Sequence, residues 1–235
     1  MVPVTLRGSR AALTLAAIVA LASLVVTGGA AAQQGATWSF DDQPAGRPPP
    51  AFVFAGSPRD QVGQWIIVRE GSNGVLAQVQ QGRPGARLAV VEGTSFADLI
   101  LSTRIRFAEG AGSAGLVWRY RDAENYYLAA LDLRTQAIRI YRVVRGNRTR
   151  LEDEDDLELD ATIWHALKVE HQGMRTRVWI NGVPIANARD RTLQEAGAIG
   201  LWTAGDSVAW FDDLHVEEDL RVEPARTPER NRRRR

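Results

Sequence analysis

The segment that decides the fold covers residues 114–132 and reads AGLVWRYRDAENYYLAALD. Aromatic and aliphatic residues flank a polar stretch at 121–125, a pattern typical of two strands that fold back on each other. The segment therefore predicts an antiparallel hairpin. Because side chains alternate along a strand, one face is expected to carry Leu116, Trp118, Tyr120, Tyr126, Leu128 and Ala130, and the other Val117, Arg119, Arg121, Tyr127, Ala129 and Leu131.

Similar short runs, separated by turn residues, continue along the chain. Residues 98–107 alternate between apolar and polar side chains, and Asn181-Gly182 is the dipeptide that favours a two-residue hairpin turn. The other predicted strands lie at 65–70, 75–80, 137–144, 164–171, 175–180, 183–188, 197–203 and 207–216. These runs predict an all-β fold, a two-sheet antiparallel jelly-roll sandwich.

The N-terminal residues carry an export signal pattern. Arg7 and Arg10 precede an apolar run at 11–26, and Ala30-Ala31-Ala32 supplies a small-residue cleavage site. We expect a signal peptide over residues 1–32 and a secreted or periplasmic mature protein. The apolar run is shorter than the roughly 20 residues that span a bilayer, so no membrane span is expected after cleavage.

Charge divides the remaining chain into a domain at 33–219 and a tail at 220–235. The tail holds seven arginines and two glutamates and is expected to be disordered. The whole chain carries a formal charge of +1, which leaves −6 on 33–219 once the tail and the signal segment are removed. An acidic domain excludes the basic footprint of a nucleic-acid-binding fold. The chain has no cysteine, which excludes disulfides, thiolate metal sites and a lipid anchor on cysteine.

Five motifs together carry a family resemblance: Ala114–Tyr127, WHALKVE at 164–170, Asn181-Gly182, GLWT at 200–203 and WFDDLHV at 210–216. They resemble the concanavalin A-like jelly rolls, and among these the bacterial secreted 3-keto-disaccharide hydrolase or family-16-like glycoside hydrolase domains. Laminin-G-like modules are similar as well. The resemblance implies a concave sheet that holds a ligand.

The resemblance also assigns residues to that sheet. Arg119 matches the arginine that ends the Gly-x-x-x-Arg strand of the family. On the following strand, enzymatic relatives tend to carry an acidic and an amide residue where this chain has Tyr127 and Ala129. This departure favours binding over hydrolysis.

The residues expected on the ligand face are arginines and tyrosines, and Trp202 is expected to line a groove near the end of the sandwich. Arginine forks bind vicinal hydroxyls or a carboxylate, and tyrosine offers a flat apolar surface with a polar tip. The candidates are Arg119, Arg121, Tyr127, Arg139, Tyr141 and Trp202. The alternative is a solvated face whose arginines pair with neighbouring acids.

Two groups of carboxylates are candidates for chemistry. Glu154, Asp156 and Glu158 imitate the spacing of a glycosidase acid pair, although seven acids within 152–160 favour a solvated loop. Asp41 and Asp212 lie in Phe-Asp-Asp motifs near the two ends of the domain, and clustered carboxylates suit a structural Ca²⁺. Turn capping is the alternative for these two aspartates.

These observations lead to three hypotheses. The leading one is a secreted or periplasmic module that binds carbohydrate or cell-envelope glycan without catalysis. The first alternative is a glycoside hydrolase or an enzyme that processes 3-keto glycosides. The second alternative is a cell-envelope module that contacts protein.

Overall fold

The computed structural model describes residues 35–57, 62–82, 84–109 and 112–219. The predicted signal peptide and basic tail lie outside these residues. The described chain forms strands β1 (Ala36–Trp38), β2 (Phe52–Ser57), β3 (Trp65–Glu70), β4 (Asn73–Gln78), β5 (Ala86–Val91), β6 (Leu99–Glu109), β7 (Ser113–Asp122), β8 (Asn125–Asp132), β9 (Ala137–Val144), β10 (Asn147–Glu154), β11 (His165–Gln172), β12 (Arg175–Ile180), β13 (Val183–Arg189), β14 (Ala198–Ala204) and β15 (Val208–Glu218).

The strands build two antiparallel sheets. The eight-stranded sheet has the order β13-β12-β11-β6-β15-β4-β3, with β1 added alongside β15, and the seven-stranded sheet has the order β10-β9-β8-β7-β14-β5-β2. The prediction of an all-β, two-sheet sandwich is confirmed. Among the described residues, no helix has the length and apolar character needed to cross a membrane.

The main core fills the space between the sheets. Alternation along β6 directs Leu101 and Ile105 inward, and alternation along β8 directs Tyr127 inward, where its ring stacks on Trp118 at 5.6 Å between centroids. Phe211 of β15 is likewise fully buried in this core. Each such side chain contributes roughly 1.5–3 kcal/mol by leaving water, so the interior holds the sheets together without any disulfide.

The pairing of β7 with β8 differs by one residue from the sequence prediction. Leu116 pairs with Ala129 and Trp118 with Tyr127, after which the register shifts between Trp118 and Asp122. Tyr127 therefore faces the core together with Trp118, and Tyr126 faces outward. The predicted faces of β8 were wrong because strict alternation does not account for the extra residues that a bulge inserts into one strand.

Arg119 lies within this bulge and links the two sheets. Its φ is +47°, and the residue is 2% exposed. The guanidinium donates to the carbonyls of Ala97 at 2.9 Å, Leu193 at 2.6 Å and Gly173 at 3.3 Å, and it contacts the Asp98 carboxylate at 3.3 Å. Two of these partners precede β6, one follows β11 and one precedes β14. A single buried cation thus holds three connections of the sandwich in place.

The loop before β14 has a second anchor at Tyr127. Its hydroxyl donates to Asp190 at 2.6 Å and accepts the backbone N–H of Leu193 at 3.2 Å. Arg142 of β9 donates to the other Asp190 oxygen at 2.7 Å and to the Thr192 hydroxyl at 2.6 Å. Burial, with the bond to Asp190 next, raises the pKa of Tyr127 to about 12. The loop is therefore held by a satisfied polar network rather than by apolar contacts alone.

Asp41 and Asp212 approach the same hairpin, the turn between β3 and β4. Asp41 accepts the backbone N–H of Gly74 at 2.9 Å, and Asp212 accepts the Asn73 amide at 3.0 Å and Arg104 at 2.5 Å. Within the described ranges, no group of three His, Cys, Asp or Glu side chains could hold a metal ion. Donors occupy the carboxylates, so this geometry favours turn capping, and a calcium site stays a prediction from the sequence.

Truncating Arg119 should destabilise the fold strongly. We expect Arg119→Ala to lower the free energy of unfolding by about 3–5 kcal/mol, because Asp98 and three carbonyls lose a buried charged partner. Arg121→Ala, which removes an exposed arginine paired with Glu195, should change it by no more than about 0.5 kcal/mol. Urea unfolding of both variants measures the difference. Equal losses would contradict a special role for Arg119.

Protonation of His171 should weaken the fold in mild acid. Burial, followed by the charge of Arg119, lowers the pKa of His171 from 6.5 to about 3. Below pH 6.5 His171 binds a proton in the unfolded chain but not in the folded chain. The free energy of unfolding therefore falls by up to about 1.4 kcal/mol per pH unit and levels off near the pKa of His171 in the folded chain. His171→Gln should show a shallower fall between pH 6.5 and pH 5, whereas the control His215→Gln should follow the native profile. Identical slopes in all three proteins would contradict this assignment.

Candidate functional site

The outer face of the seven-stranded sheet carries a second apolar cluster. Leu88, Val117 and Leu128 are fully buried there although they point away from the main core. Gly115 lies on the same face. A Cβ at this position would meet the Ala129 carbonyl oxygen at 2.0 Å, so no larger residue fits there. An outer sheet face with this much buried apolar surface is unusual, because such faces are normally polar and solvated.

This face forms a cleft of about 370 Å³ towards one end of the sheet. That volume lies within the range of ligand pockets, roughly 300–1,000 Å³. The residues that line it combine an apolar floor with a polar rim. The cleft is bounded by Ser57, Pro84, Gly85, Ala86, Ser113, Ala123, Tyr126, Ala130, Asp132, Arg134, Arg139, Tyr141, Val143, Gly146, Arg148, Trp202, Ala204, Gly205 and Asp206.

Trp202 and Tyr126 form the aromatic part of the floor, each 3% exposed. Burial raises the pKa of Tyr126 to about 12, and the nearby indole N–H of Trp202 acts in the opposite direction. That N–H is itself buried, and it approaches the Tyr126 hydroxyl without the full geometry of a hydrogen bond. The two rings therefore close the base of the cleft, and the polar groups within reach of a bound molecule lie on its rim.

The rim is built from β9 and β10. Arg148 is exposed, and its guanidinium carbon lies 4.7 Å from the centroid of the Tyr141 ring. Arg139 contacts Asp132 at 3.6 Å and Asp155 at 3.1 Å, which fixes its position on the neighbouring strand. The rim therefore presents an aromatic surface with one exposed and one anchored guanidinium above it.

The sequence-predicted ligand residues fall into two groups. Arg139, Tyr141 and Trp202 lie together in the cleft. Arg119 and Tyr127 lie inside the sandwich, where they support the bulge and the loop before β14 and have no access to this face. Arg121 is on the surface outside the cleft lining and pairs with Glu195 at 2.9 Å. The expectation that the three arginines and two tyrosines share one face is wrong because the register between β7 and β8 shifts at the bulge.

Sequence reasoning missed several polar residues of the cleft, among them Tyr126, Asp132, Arg148 and Asp206. Tyr126 was placed on the apolar face, and Arg148 belongs to β10, which alternation did not predict. Asp132 ends β8 and Asp206 lies in the turn after β14, and only the folded chain brings both to one cleft. Their local signal is that of an ordinary turn aspartate.

The three candidate carboxylates of the acidic run do not line the cleft, although Asp155 of the same run contacts Arg139 on its rim. β10 extends through Glu154 and ends there, and Asp156 has a φ of +59°, which breaks the alternation. Glu154, Asp156 and Glu158 are all exposed, and none of them lines the cleft. The strand geometry that would align three carboxylates is therefore absent from this part of the described chain.

The titratable groups available for chemistry in the cleft are carboxylates and phenols. Asp132 accepts the Thr135 backbone N–H at 3.0 Å, and Asp206 is exposed at the opposite side of the rim. The three histidines lie elsewhere and have other partners: His165 contacts the Asp160 carbonyl, His171 contacts Thr176, and His215 contacts Thr37. The arrangement can bind hydroxyl groups and an apolar ring face, and it offers two carboxylates as bases.

Comparison with solved structures gives the same architecture. The carbohydrate-binding module CBM66 from Bacillus subtilis is 21% identical and has a TM-score of 0.60, with the match covering 70% of this chain and 95% of that chain. A galectin-like protein of unknown function from Bacillus subtilis is 16% identical, with a TM-score of 0.56 over 73% of this chain and 90% of that chain. A native glycosidic hydrolase is 10% identical, with a TM-score of 0.56 over 81% of this chain and 98% of its own. At these identities the likeness shows the fold alone.

Sequence comparison identifies the family. No curated protein matches the chain. The profile of the 3-keto-alpha-glucoside-1,2-lyase-like domain matches residues 44–217, which confirms the resemblance inferred from the sequence motifs. A match that runs from the loop before β2 to the last strand shows that this chain belongs to the 3-keto-alpha-glucoside-1,2-lyase-like domain family.

Proposed function

We propose that the chain binds a saccharide in the cleft of the seven-stranded sheet without catalysing a reaction on it. The observation that carries this proposal is a cleft of about 370 Å³ whose floor holds the aromatic rings of Trp202 and Tyr126 and whose rim carries polar side chains. A sugar fits such a lining, because its apolar C–H face packs against aromatic rings and its hydroxyl groups pair with polar side chains.

The rim supports the same ligand class. Arg148 is held over Tyr141 yet remains exposed, so its guanidinium can donate to a second hydroxyl. Asp132 and Asp206 supply acceptors for hydroxyl protons on the other side. A few fixed polar groups around an apolar floor is the usual construction of a small-molecule site.

We further propose that the protein acts outside the cytoplasm, in the periplasm or beyond the cell. The support is the sequence of residues 1–32, with two arginines, an apolar run and a run of small residues. The folded domain contains no cysteine, so it needs no disulfide in that compartment.

Saccharide binding should depend on Trp202 and Arg148. On a glycan array with the full-length protein, we expect Arg148→Ala to weaken binding about tenfold, the effect of losing one hydrogen bond of about 1.4 kcal/mol. We expect Trp202→Phe to weaken binding as well, because the smaller ring changes the shape of the cleft floor. Trp202→Phe keeps an aromatic ring and removes only the N–H donor and part of the ring area. The matched control is Arg121→Ala, which removes an equal charge outside the cleft.

Three results would contradict the proposal. One is undiminished binding by both cleft variants, and another is an equal loss in Arg121→Ala. The third is a blank array with native protein, which would favour the module that contacts protein. Unfolding curves of each variant separate a lost contact from a lost fold.

A second candidate function is elimination across a 3-keto glucoside, and membership of the family favours it. In such a reaction a base removes the C2 proton, which the neighbouring C3 ketone acidifies, and the C1–O bond breaks as the aglycone leaves and takes up a proton. Asp132 and Asp206 are the carboxylates of the cleft that could serve as this base.

The enzymatic candidate makes a residue-specific prediction. With a chromogenic 3-keto glucoside, any turnover should fall at least about a hundredfold in Asp132→Asn or Asp206→Asn, the usual contribution of general base catalysis. The double variant Glu154→Gln with Glu158→Gln should keep the native rate, because both residues lie outside the cleft. Loss of turnover in this double variant would instead support the acidic run as the catalytic element.

A further inference from the structure

A second groove lies on the opposite side of the sandwich, on the outer face of the eight-stranded sheet. It measures about 340 Å³ and lies along the edge formed by β12 and β13, so we call it the β12–β13 groove. Its lining residues are Arg175, Arg177, Val178, Trp179, Pro184, Ile185, Ala186, Asn187 and Arg189. The lining thus contains three arginines and no acid, in a domain whose overall charge is negative.

The sequence builds this groove through a bulge. Asn181 and Gly182, both at positive φ, close the β12–β13 hairpin. The register then shifts at Trp179, so that Pro184 lies opposite it and Ile185 becomes the extra residue. A bulge bends its strand and increases the local twist, which opens a concavity on a face that would otherwise be flat. Pro184 also gives the edge no N–H for pairing with another chain.

The charges of the groove are only partly compensated from the neighbouring strand. Glu170 of β11 contacts both Lys168 at 3.1 Å and Arg177 at 3.2 Å. Its side chain is 9% exposed, so one nearly buried carboxylate is shared by two cations. Arg189 extends the positive strip to the exposed edge strand. The three positive charges of Lys168, Arg177 and Arg189 exceed the one negative charge of Glu170, and such an excess attracts anions from solution.

Trp179 adds an oriented aromatic wall to this positive strip. The Lys168 ammonium lies 4.0 Å from its ring centroid, and the Arg177 guanidinium carbon lies at 5.7 Å. These cation–π contacts hold the ring and the two cations in one arrangement. The groove therefore offers an apolar wall of Trp179, Pro184 and Ile185 beside forked donors from arginine.

We infer that the β12–β13 groove binds an acidic polysaccharide of the uronate type, independently of the cleft on the other sheet. A uronate unit carries a planar carboxylate that matches the arginine fork. Its pyranose ring also has apolar C–H faces that can lie against Trp179 and Pro184. The regular spacing of carboxylates along such a chain lets neighbouring units meet Arg177 and Arg189 in turn. Two binding faces would let one domain engage a neutral and an acidic glycan together.

The test measures binding of oligogalacturonate to the full-length protein by calorimetry at low ionic strength. We expect Arg177→Gln with Arg189→Gln to weaken binding at least about tenfold, since charge-assisted hydrogen bonds are the stronger class. The control is Arg47→Gln with Arg121→Gln, which removes two exposed arginines outside the groove and should change affinity less than about twofold. The basic tail is the same in all proteins, so its contribution cancels.

A second variant tests the groove without breaking the contact between Arg177 and Glu170. Arg189→Glu reverses a charge at the exposed edge and leaves Arg177 in place. It should weaken binding at least as much as the loss of one contact between a guanidinium and a carboxylate. Methyl-esterified oligogalacturonate should not bind to the groove, because it lacks the carboxylate. Trp202→Phe should retain oligogalacturonate binding, which separates this inference from the proposed function of the cleft.

Four outcomes would overturn the inference. The first is equal affinity of the groove and control variants, which would assign the binding to general charge or to the tail. The second is the absence of oligogalacturonate binding in the native protein. The third is equal binding of the esterified chain. The fourth is groove-dependent binding of phosphatidylglycerol vesicles without any binding of the oligosaccharide, which would identify a lipid surface as the partner.

Discussion

The buried guanidinium of Arg119 is the constraint on which the rest of the structure depends. A bulged arginine at positive φ is tolerated only where its charge is fully satisfied, and here three carbonyls and one carboxylate satisfy it. These acceptors belong to connections of both sheets, so the bulge fixes the entry to β6 and the approach to β14. Gly197 follows from the same constraint, because a Cβ there would lie 2.6 Å from the Arg119 carbonyl carbon.

The sequence predicted the fold class and several strands well for a physical reason. The 137–144, 175–180 and 65–70 runs are rich in aromatic and β-branched residues, and the structure has the same limits. β5 was missed because all of its six residues are buried, so it shows no alternation. β10 was missed because its acids suggested a loop, whereas pairing with β9 keeps the backbone extended to Glu154.

The candidate site was predictable only where local alternation holds. Arg139 and Tyr141 lie on β9, whose strand is regular, and both reached the expected face. Tyr126 and Tyr127 exchanged faces because the bulge around Arg119 shifts the register, and a shift of one residue inverts every side chain beyond it. The family motif correctly singled out Arg119, and the structure gives that arginine an internal, supporting position. A residue can therefore belong to a family motif because the fold requires it and not because it contacts a ligand.

In an antiparallel sheet, one face usually packs on the core and the other faces water. The two sheets differ in how far their outer faces follow this rule. β6 alternates between buried and more exposed side chains and β11 largely does, and at its β12–β13 edge the same sheet has a bulge beside Trp179. β7 and β8 do not, because both of their faces are apolar and Val117 and Leu128 are buried on the outer one. Departures from a local rule tend to coincide with function in natural proteins. Each candidate binding surface lies at such a departure. The cleft lies where the outer face of the seven-stranded sheet is apolar, and the β12–β13 groove lies where a bulge bends the edge of the eight-stranded sheet.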